Sequence, residues 1–315
     1  MGVWLLALPL WGIAFDPLSI AGGARAIGMG KAQVAVVNEA NTIFTNPAGL
    51  GEIDTFKFSS MSGNVLDDLH YLSLCSTFSL GNRSAVGIGY AGAFLGGIEL
   101  RDTAGTLGSK ANYGNTVAVI SYGRQLARDT SFGLNLKYYS IDGTGNDNGD
   151  GRGWNADLGF YQDGLNWISF GLTMQNLLSS SKILYQNGES EPLPQTLRLG
   201  TKMYLLGGGF SSARHYPFDL TVAVDGQFDL NHPTSPTIFS GLEFSPNEHL
   251  AVRAGSNRGT LTAGISFMTL GLGFHYAYNN LGDDPTNLAH YFSITFDEKG
   301  WPSEEIPDIH ISMKP

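Results

Sequence analysis

From residue 55 onward the chain repeats one pattern: a run of roughly ten residues in which apolar side chains alternate with polar or small ones, then a turn. Successive side chains of a strand point to opposite faces, so a period of two marks strands and a period of 3.6 marks helices. Within 131–139, Phe132, Leu134, Leu136 and Tyr138 share one face, and Gly133, Asn135, Lys137 and Tyr139 share the other. Trp154, Ala156, Leu158 and Phe160 oppose Asn155, Asp157, Gly159 and Tyr161 in the same way. The pattern predicts about fourteen strands, near 55–62, 69–79, 84–95, 113–124, 129–141, 152–162, 167–177, 195–206, 216–227, 237–245, 249–255, 259–267, 269–279 and 288–296. An even number of antiparallel strands is what a closed bacterial barrel requires. The expected fold class is therefore all-β: an antiparallel transmembrane β-barrel.

The connections test that expectation. Several of them alternate between long, Asn/Asp/Gly-rich segments (98–111, 142–151, 178–194, 281–286) and turns of a few residues (81–83, 163–165, 246–248). Long loops on one side and short turns on the other are the habit of an outer-membrane barrel. The connections at 206–215 and 256–258 break the alternation.

Only 15% of the residues are charged, well below the usual quarter of a soluble domain, which points to a surface partly covered by lipid. The apolar face of the strands carries almost no charge. The opposite face holds Lys137, Asp157, Arg198, Lys202, Asp219, Asp225, Glu243 and Arg253, and these are the expected lumen charges. Lys137 is expected opposite Asp157, and Glu243 diagonal to Arg253; such pairs brace and fill a lumen or line a selective pore. The net charge of −10 argues against nucleic acid, which needs a basic face. The single cysteine, Cys75, forms no intramolecular disulfide, and with no Cys/His set beside it no metal site is expected.

Residues 3–15 are almost wholly apolar, too short to span as a helix, and read as the core of an export signal; 1–14 is the expected signal peptide. Residues 15–54 form the expected N-terminal hatch, with a short helical stretch near 33–41; 55–296 form the barrel, and 297–315 a polar periplasmic tail.

Within the hatch, Gly23-Ala24-Arg25-Ala26-Ile27-Gly28-Met29-Gly30, Ala35-Val36 and Asn46-Pro47-Ala48-Gly49-Leu50 stand in order before the first strand. With the strand pattern that follows, this resembles the FadL/TodX-like outer-membrane superfamily, most closely its PorV/PorQ-type branch. Lys31 and Phe44-Thr45 depart from the usual motif. The resemblance implies a fourteen-stranded barrel with an N-terminal hatch in a bacterial outer membrane, the hatch carried by Gly28, Met29, Gly30, Asn46, Pro47, Ala48, Gly49 and Leu50. FadL-like members pass hydrophobic molecules such as long-chain fatty acids; PorV-like members assist export or surface attachment of proteins.

No enzymatic motif competes. Gly28-Met29-Gly30 lacks the strand and third glycine of a phosphate loop, the seven histidines form no metal-binding spacing, and no Gly-x-Ser-x-Gly elbow occurs. No cofactor is expected. The leading expectation is a secretion-associated platform whose partners are outer-membrane lipid and secreted proteins or their machinery, with an apolar loop patch around 183–185. The alternative is a channel for a hydrophobic small molecule, with Gly87, Gly89 and Gly92 kinking the wall to open it sideways.

Overall fold

The computed structural model describes residues 15–66, 69–101, 107–144, 149–165, 167–207, 218–231, 236–280 and 288–300. The expected signal segment and residues 301–315 of the tail lie outside them. The strands are β1 (Lys57–Leu66), β2 (Leu69–Gly81), β3 (Ser84–Arg101), β4 (Leu107–Ala127), β5 (Thr130–Thr144), β6 (Gly151–Leu165), β7 (Ile168–Gln175), β8 (Lys182–Tyr185), β9 (Ser190–Pro192), β10 (Thr196–Leu206), β11 (Asp219–Asp229), β12 (Thr237–Asn247), β13 (Leu250–Asn257), β14 (Thr260–Thr269), β15 (Leu272–Asn280) and β16 (Leu288–Asp297).

Fourteen of these form one closed antiparallel ring. β1 pairs with β16 from Lys57↔Asp297 to Asn64↔His290, and β5 pairs with β6, so the ring has no free edge. Closure satisfies every ladder within the sheet, which is the condition for a sheet in lipid. Each of the fourteen strands read from the alternation is present. The remaining two, β8 and β9, form a small hairpin inside the long segment after β7, and β8 adds to the end of β6 through Gly151↔Tyr185 and Arg152↔Leu184. Their four and three residues are too short to show a period.

The two ends of the barrel differ. One carries two-residue turns, among them Asn82-Arg83 (φ 49° and 57°) and Leu270-Gly271 (φ 47° and 76°), whose paired positive φ values match the twist of the strands they join. It also carries the start of β1 and the end of β16, and is called the turn end below. The other, the loop end, carries longer connections together with the two-residue turn Arg258-Gly259.

The outer surface is the apolar face of the alternation. Leu134, Leu136, Trp154, Leu158, Phe274, Phe292 and Ile294 are all exposed, whereas Asn135, Lys137, Asn155, Asp157, His275 and Ser293 between them are buried in the lumen. A continuous apolar exterior around a polar interior suits lipid outside.

An arginine at Leu136, midway along β5, is expected to lower folding stability in lipid vesicles by about 2–4 kcal/mol; one at Leu126, beside the turn end, by about 0–1 kcal/mol. Urea titration of the refolded barrel measures both.

Candidate functional site: a plug seated on wall glycines

Residues 15–56 fill the lumen. Helix α1 (Ala24–Gly28) is followed by Gly30 and Lys31, both left-handed (φ 61° and 66°), and then by irregular chain as far as a 3₁₀ turn at Ala40–Phe44. The helix expected near 33–41 is therefore absent. The amides of Gln33 and Val34 donate to the Asp225 carboxylate (2.8 and 3.1 Å), and the β-branched Val34, Val36 and Val37 disfavour a helical turn.

A second 3₁₀ turn, Pro47–Glu52, begins at Asn46, whose side chain accepts from the Ala48 amide (3.2 Å). The Asn46 amide group also donates to the carbonyls of Val34 (2.8 Å) and Phe160 (3.0 Å). One fully buried asparagine thus caps the turn, joins two plug segments and ties both to β6. Pro47 supplies the fixed φ that opens the turn.

The plug meets the wall through glycines. Gly123, Gly133 and Gly159 are direct partners in register across β4, β5 and β6. A Cβ on any of them would strike the segment 46–51: Pro47 O at 2.6 Å from Gly123, the Pro47 carbonyl group from Gly133, and the Ala48 amide at 2.9 Å from Gly159. On the opposite side Gly241 and Gly255 are partners across β12 and β13, and both press on the Met29–Gly30 backbone. A Cβ on Gly28 would lie 3.2 Å from the Cα of Gly264. Gly171 and Gly200, paired across β7 and β10, make room for Val34. Every expected hatch residue is thus in the plug, and Gly28, Met29, Gly30, Asn46, Pro47 and Ala48 touch the wall at these rows. A Cβ at Gly49 would meet Thr42 and Val37 inside the plug, while Leu50 packs behind Gly123.

Gly87 and Gly89 serve the same purpose, accommodating Ile43 and Phe44, while Gly92 lies under the ring of Phe94. The ladders of β3 with β2 and β4 run unbroken through all three; register shifts fall to either side, opposite Ser79–Gly81 in β2 and between Leu95 and Ile98. At the expected kink of Gly87, Gly89 and Gly92 the pairing is continuous, and the glycines yield space to a side chain or ring.

Most of the lumen charges are drawn together in pairs. Lys137 meets Asp157 at 2.6 Å, although its direct partner is Asn155; the β5–β6 hairpin is centred one residue earlier than expected, so the pair is diagonal. Glu243 and Arg253 stand directly opposite, correcting the expected diagonal. Arg198 meets Asp225 at 3.0 Å. Lys202 lies over the Tyr204 ring (4.9 Å), and Asp219 is exposed at the turn end, so neither joins these pairs.

Plug residues that no local sequence signal marked complete the networks. Arg25 bridges Glu39 (2.7 Å) and Glu243 (2.6 Å). Burial opposes its charge, but Glu243 and Glu39 outweigh it and hold the guanidinium well above its usual pKa. Burial likewise opposes the Glu39 carboxylate, and Arg25 and His275 outweigh it, leaving Glu39 below the usual carboxylate range. Asp16 accepts from Tyr139 (2.8 Å) and Asn176 (3.3 Å) beside Lys137. The signal that could have found the docking rows was available: these glycines fall at lumen positions of adjacent strands.

A cavity of about 540 Å³, bordered by Arg25, Glu39, Glu243, Arg253 and His275, lies on the turn-end side of the plug, and a smaller one of about 200 Å³ lies on the loop-end side. The lumen wall itself has two sectors. From β16 through β4 it is largely apolar, with Tyr291, Met61, Tyr71, Cys75, Ala91, Ala93, Val117 and Val119 packed with Ile27, Ile43 and Phe44 of the plug. From β5 to β15 it carries the charges, Lys137 among them. Among the described residues no cluster of His, Cys, Asp and Glu could hold a metal.

The fourteen-stranded barrel fold is shared by known hydrocarbon channels. The Pseudomonas putida toluene transporter TodX superposes with a TM-score of 0.58, covering 87% of this chain and 96% of its own at 12% identity. The CymD monoaromatic hydrocarbon channel gives 0.57, with 90% and 98% covered at 14% identity. A Pseudomonas aeruginosa FadL homologue gives 0.55, with 91% and 100% covered at 9% identity. At such identities the likeness is one of fold. No family model and no curated protein matches the sequence.

Gly133→Val is expected to unseat the segment 46–51 at a cost of about 1–3 kcal/mol, leaving the ring folded but the plug open to protease from the turn end. Lys137→Met, which strands a buried carboxylate, should cost about 3–5 kcal/mol, and Lys137→Met with Asp157→Leu should recover most of it in a double-mutant cycle. Because Glu39 is depressed, its contribution is complete above the ordinary carboxylate pKa and is lost as pH falls through its lower folded value. Plug protection against protease should therefore hold from neutral pH to about pH 5, fail in stronger acid, and in Glu39→Gln lose that part of its acid dependence.

Proposed function

We propose that this protein is a channel that admits a small hydrophobic molecule across a bacterial outer membrane, and that it has no catalytic activity. The apolar lumen sector carries this reading. The interior of a water-filled barrel is polar, whereas here one side of the wall, from Tyr71 and Ala93 near the loop end down to Cys75 and Val119, offers mainly carbon, a thiol and a few hydroxyls to whatever lies against it, and the one amide among them, that of Asn115, is bonded to the Phe15 carbonyl. Shared architecture with the toluene and monoaromatic hydrocarbon channels supports the same reading. Ile43 and Phe44 occupy the sector, so passage requires the plug to shift against the wall.

The platform for secreted proteins has less support. It calls for an apolar patch at 183–185, but Ile183 is fully buried, packed over Gly151 and Gly153, and only Leu184 is strongly exposed. The structural neighbours named above are channels.

Cells producing the protein should take up labelled toluene or oleate faster than cells without it. Oxidising the double variant G28C/G264C, which ties the plug to β14 where the two backbones touch, should reduce uptake at least tenfold, and a reductant should restore it. Uptake equal to that of cells lacking the protein would overturn the channel reading.

A further inference from the structure

The cavity on the loop-end side of the plug has an imbalance of charge. Lys31 of the plug, Arg198 of β10 and Arg258 of the β13–β14 turn all line it. The Lys31 ammonium donates to the Ser19 carbonyl (3.0 Å), and among the described residues neither it nor Arg258 has a carboxylate within ion-pair distance. Arg198 pairs with Asp225, but that carboxylate also accepts the Gln33 and Val34 amides. The Arg198 guanidinium stacks on the Phe239 ring at 4.2 Å and donates to the Lys31 carbonyl, and its Nε is buried without a hydrogen-bond partner.

The two acids on the cavity wall are turned elsewhere. Asp16 accepts from Tyr139 and Asn176, and Asp229 accepts from the Asn231 amide (2.9 Å). Burial, with Arg258 and Arg198 close by, pushes the Lys31 ammonium down to about 7, as expected of a cation among cations. Lys31 nevertheless holds a left-handed backbone, a conformation that disfavours any residue with a Cβ.

We propose that this cavity binds a compact oxyanion, of carboxylate or phosphate type, clamped between Lys31 of the plug and Arg198 and Arg258 of the wall. Lys31 and Arg258 bring to the cavity cationic donors that no carboxylate among the described residues answers, and charge-assisted bonds from such groups to an oxyanion are strong. About 200 Å³ accommodates a small anion and its water but no long alkyl chain, so the site is separate from the apolar sector. The bound anion joins plug to wall at the loop end, as the Arg25 network does toward the turn end. This inference does not depend on the channel reading.

The test uses the full chain in neutral detergent at pH 7, with inorganic phosphate as the probe and buffer of matched ionic strength as the control. Calorimetric titration should give saturable binding near one phosphate per chain. Lys31→Gln and Arg258→Gln should each weaken it by about tenfold or more. Without phosphate, Lys31→Gln should resist thermal release of the plug at least as well as the unaltered protein, because it removes like-charge repulsion; with phosphate the order should reverse. A response that follows ionic strength without saturating, unchanged affinity in both variants, or a Lys31→Gln protein less stable to the same degree with and without phosphate would each overturn the proposal.

Discussion

The approach of plug backbone to wall backbone at the glycine rows governs the rest of the structure. Where Gly123, Gly133 and Gly159 lie side by side, and again at Gly241 and Gly255, the wall has no side chains and the plug's peptide groups rest on the sheet itself. Such contact brings many atoms to van der Waals distance at once, and a single added methyl has nowhere to go. It also explains the composition of the hatch. Gly28, Gly30 and Ala48 are small because they sit in a space whose far side is already backbone, and Gly49 because Thr42 and Val37 already fill the space beside it.

Ionic contacts add orientation. Buried pairs recover little net stability once their desolvation is counted, but breaking one is costly, so they favour one arrangement over its neighbours. Arg25 between Glu39 and Glu243, and Asp225 beneath Gln33 and Val34, fix the plug's rotation against β10–β13. On the other side apolar packing is joined by neutral hydrogen bonds, among them Tyr71 to the Ala21 carbonyl, Ser73 to that of Gly22 and Asn135 to that of Ile43. The plug is therefore held by charge along one flank and by packing and neutral bonds along the other.

The strands were legible because one face of each meets lipid and the other the lumen, so the two-residue period is strong; all fourteen wall segments were readable within a few residues. The β8–β9 hairpin was not, because it is covered by neither lipid nor plug along a full strand and its seven residues carry no clear period. The helix expected near 33–41 failed because an acid nearly two hundred positions away claims two of its amides. The lumen acids and bases were readable as a class, but their partners were not: shifting a hairpin's centre by one residue turns a direct Lys137–Asp157 pair into a diagonal one. Glu39 and Asp16 were missed because they come from irregular chain, where no period says which way a side chain points, and Arg25 because a helix of five residues is too short to show one. The glycine rows lay in plain view, but register had to be known before they became rows.

Pairing of β1 with β16 has a consequence for how the molecule is made. The two strands that close the ring are the first and last of the barrel, separated by almost the whole chain, and contacts so distant in sequence form late. The hatch is synthesised before any strand, yet in the finished protein it is enclosed on every side. It must therefore settle onto the growing sheet while the sheet is still open, and the final strand then seals it in like the last stave of a cask around its contents. A chain whose plug seats slowly would be closed empty or with the plug astray, and reopening would mean breaking a complete seam of hydrogen bonds.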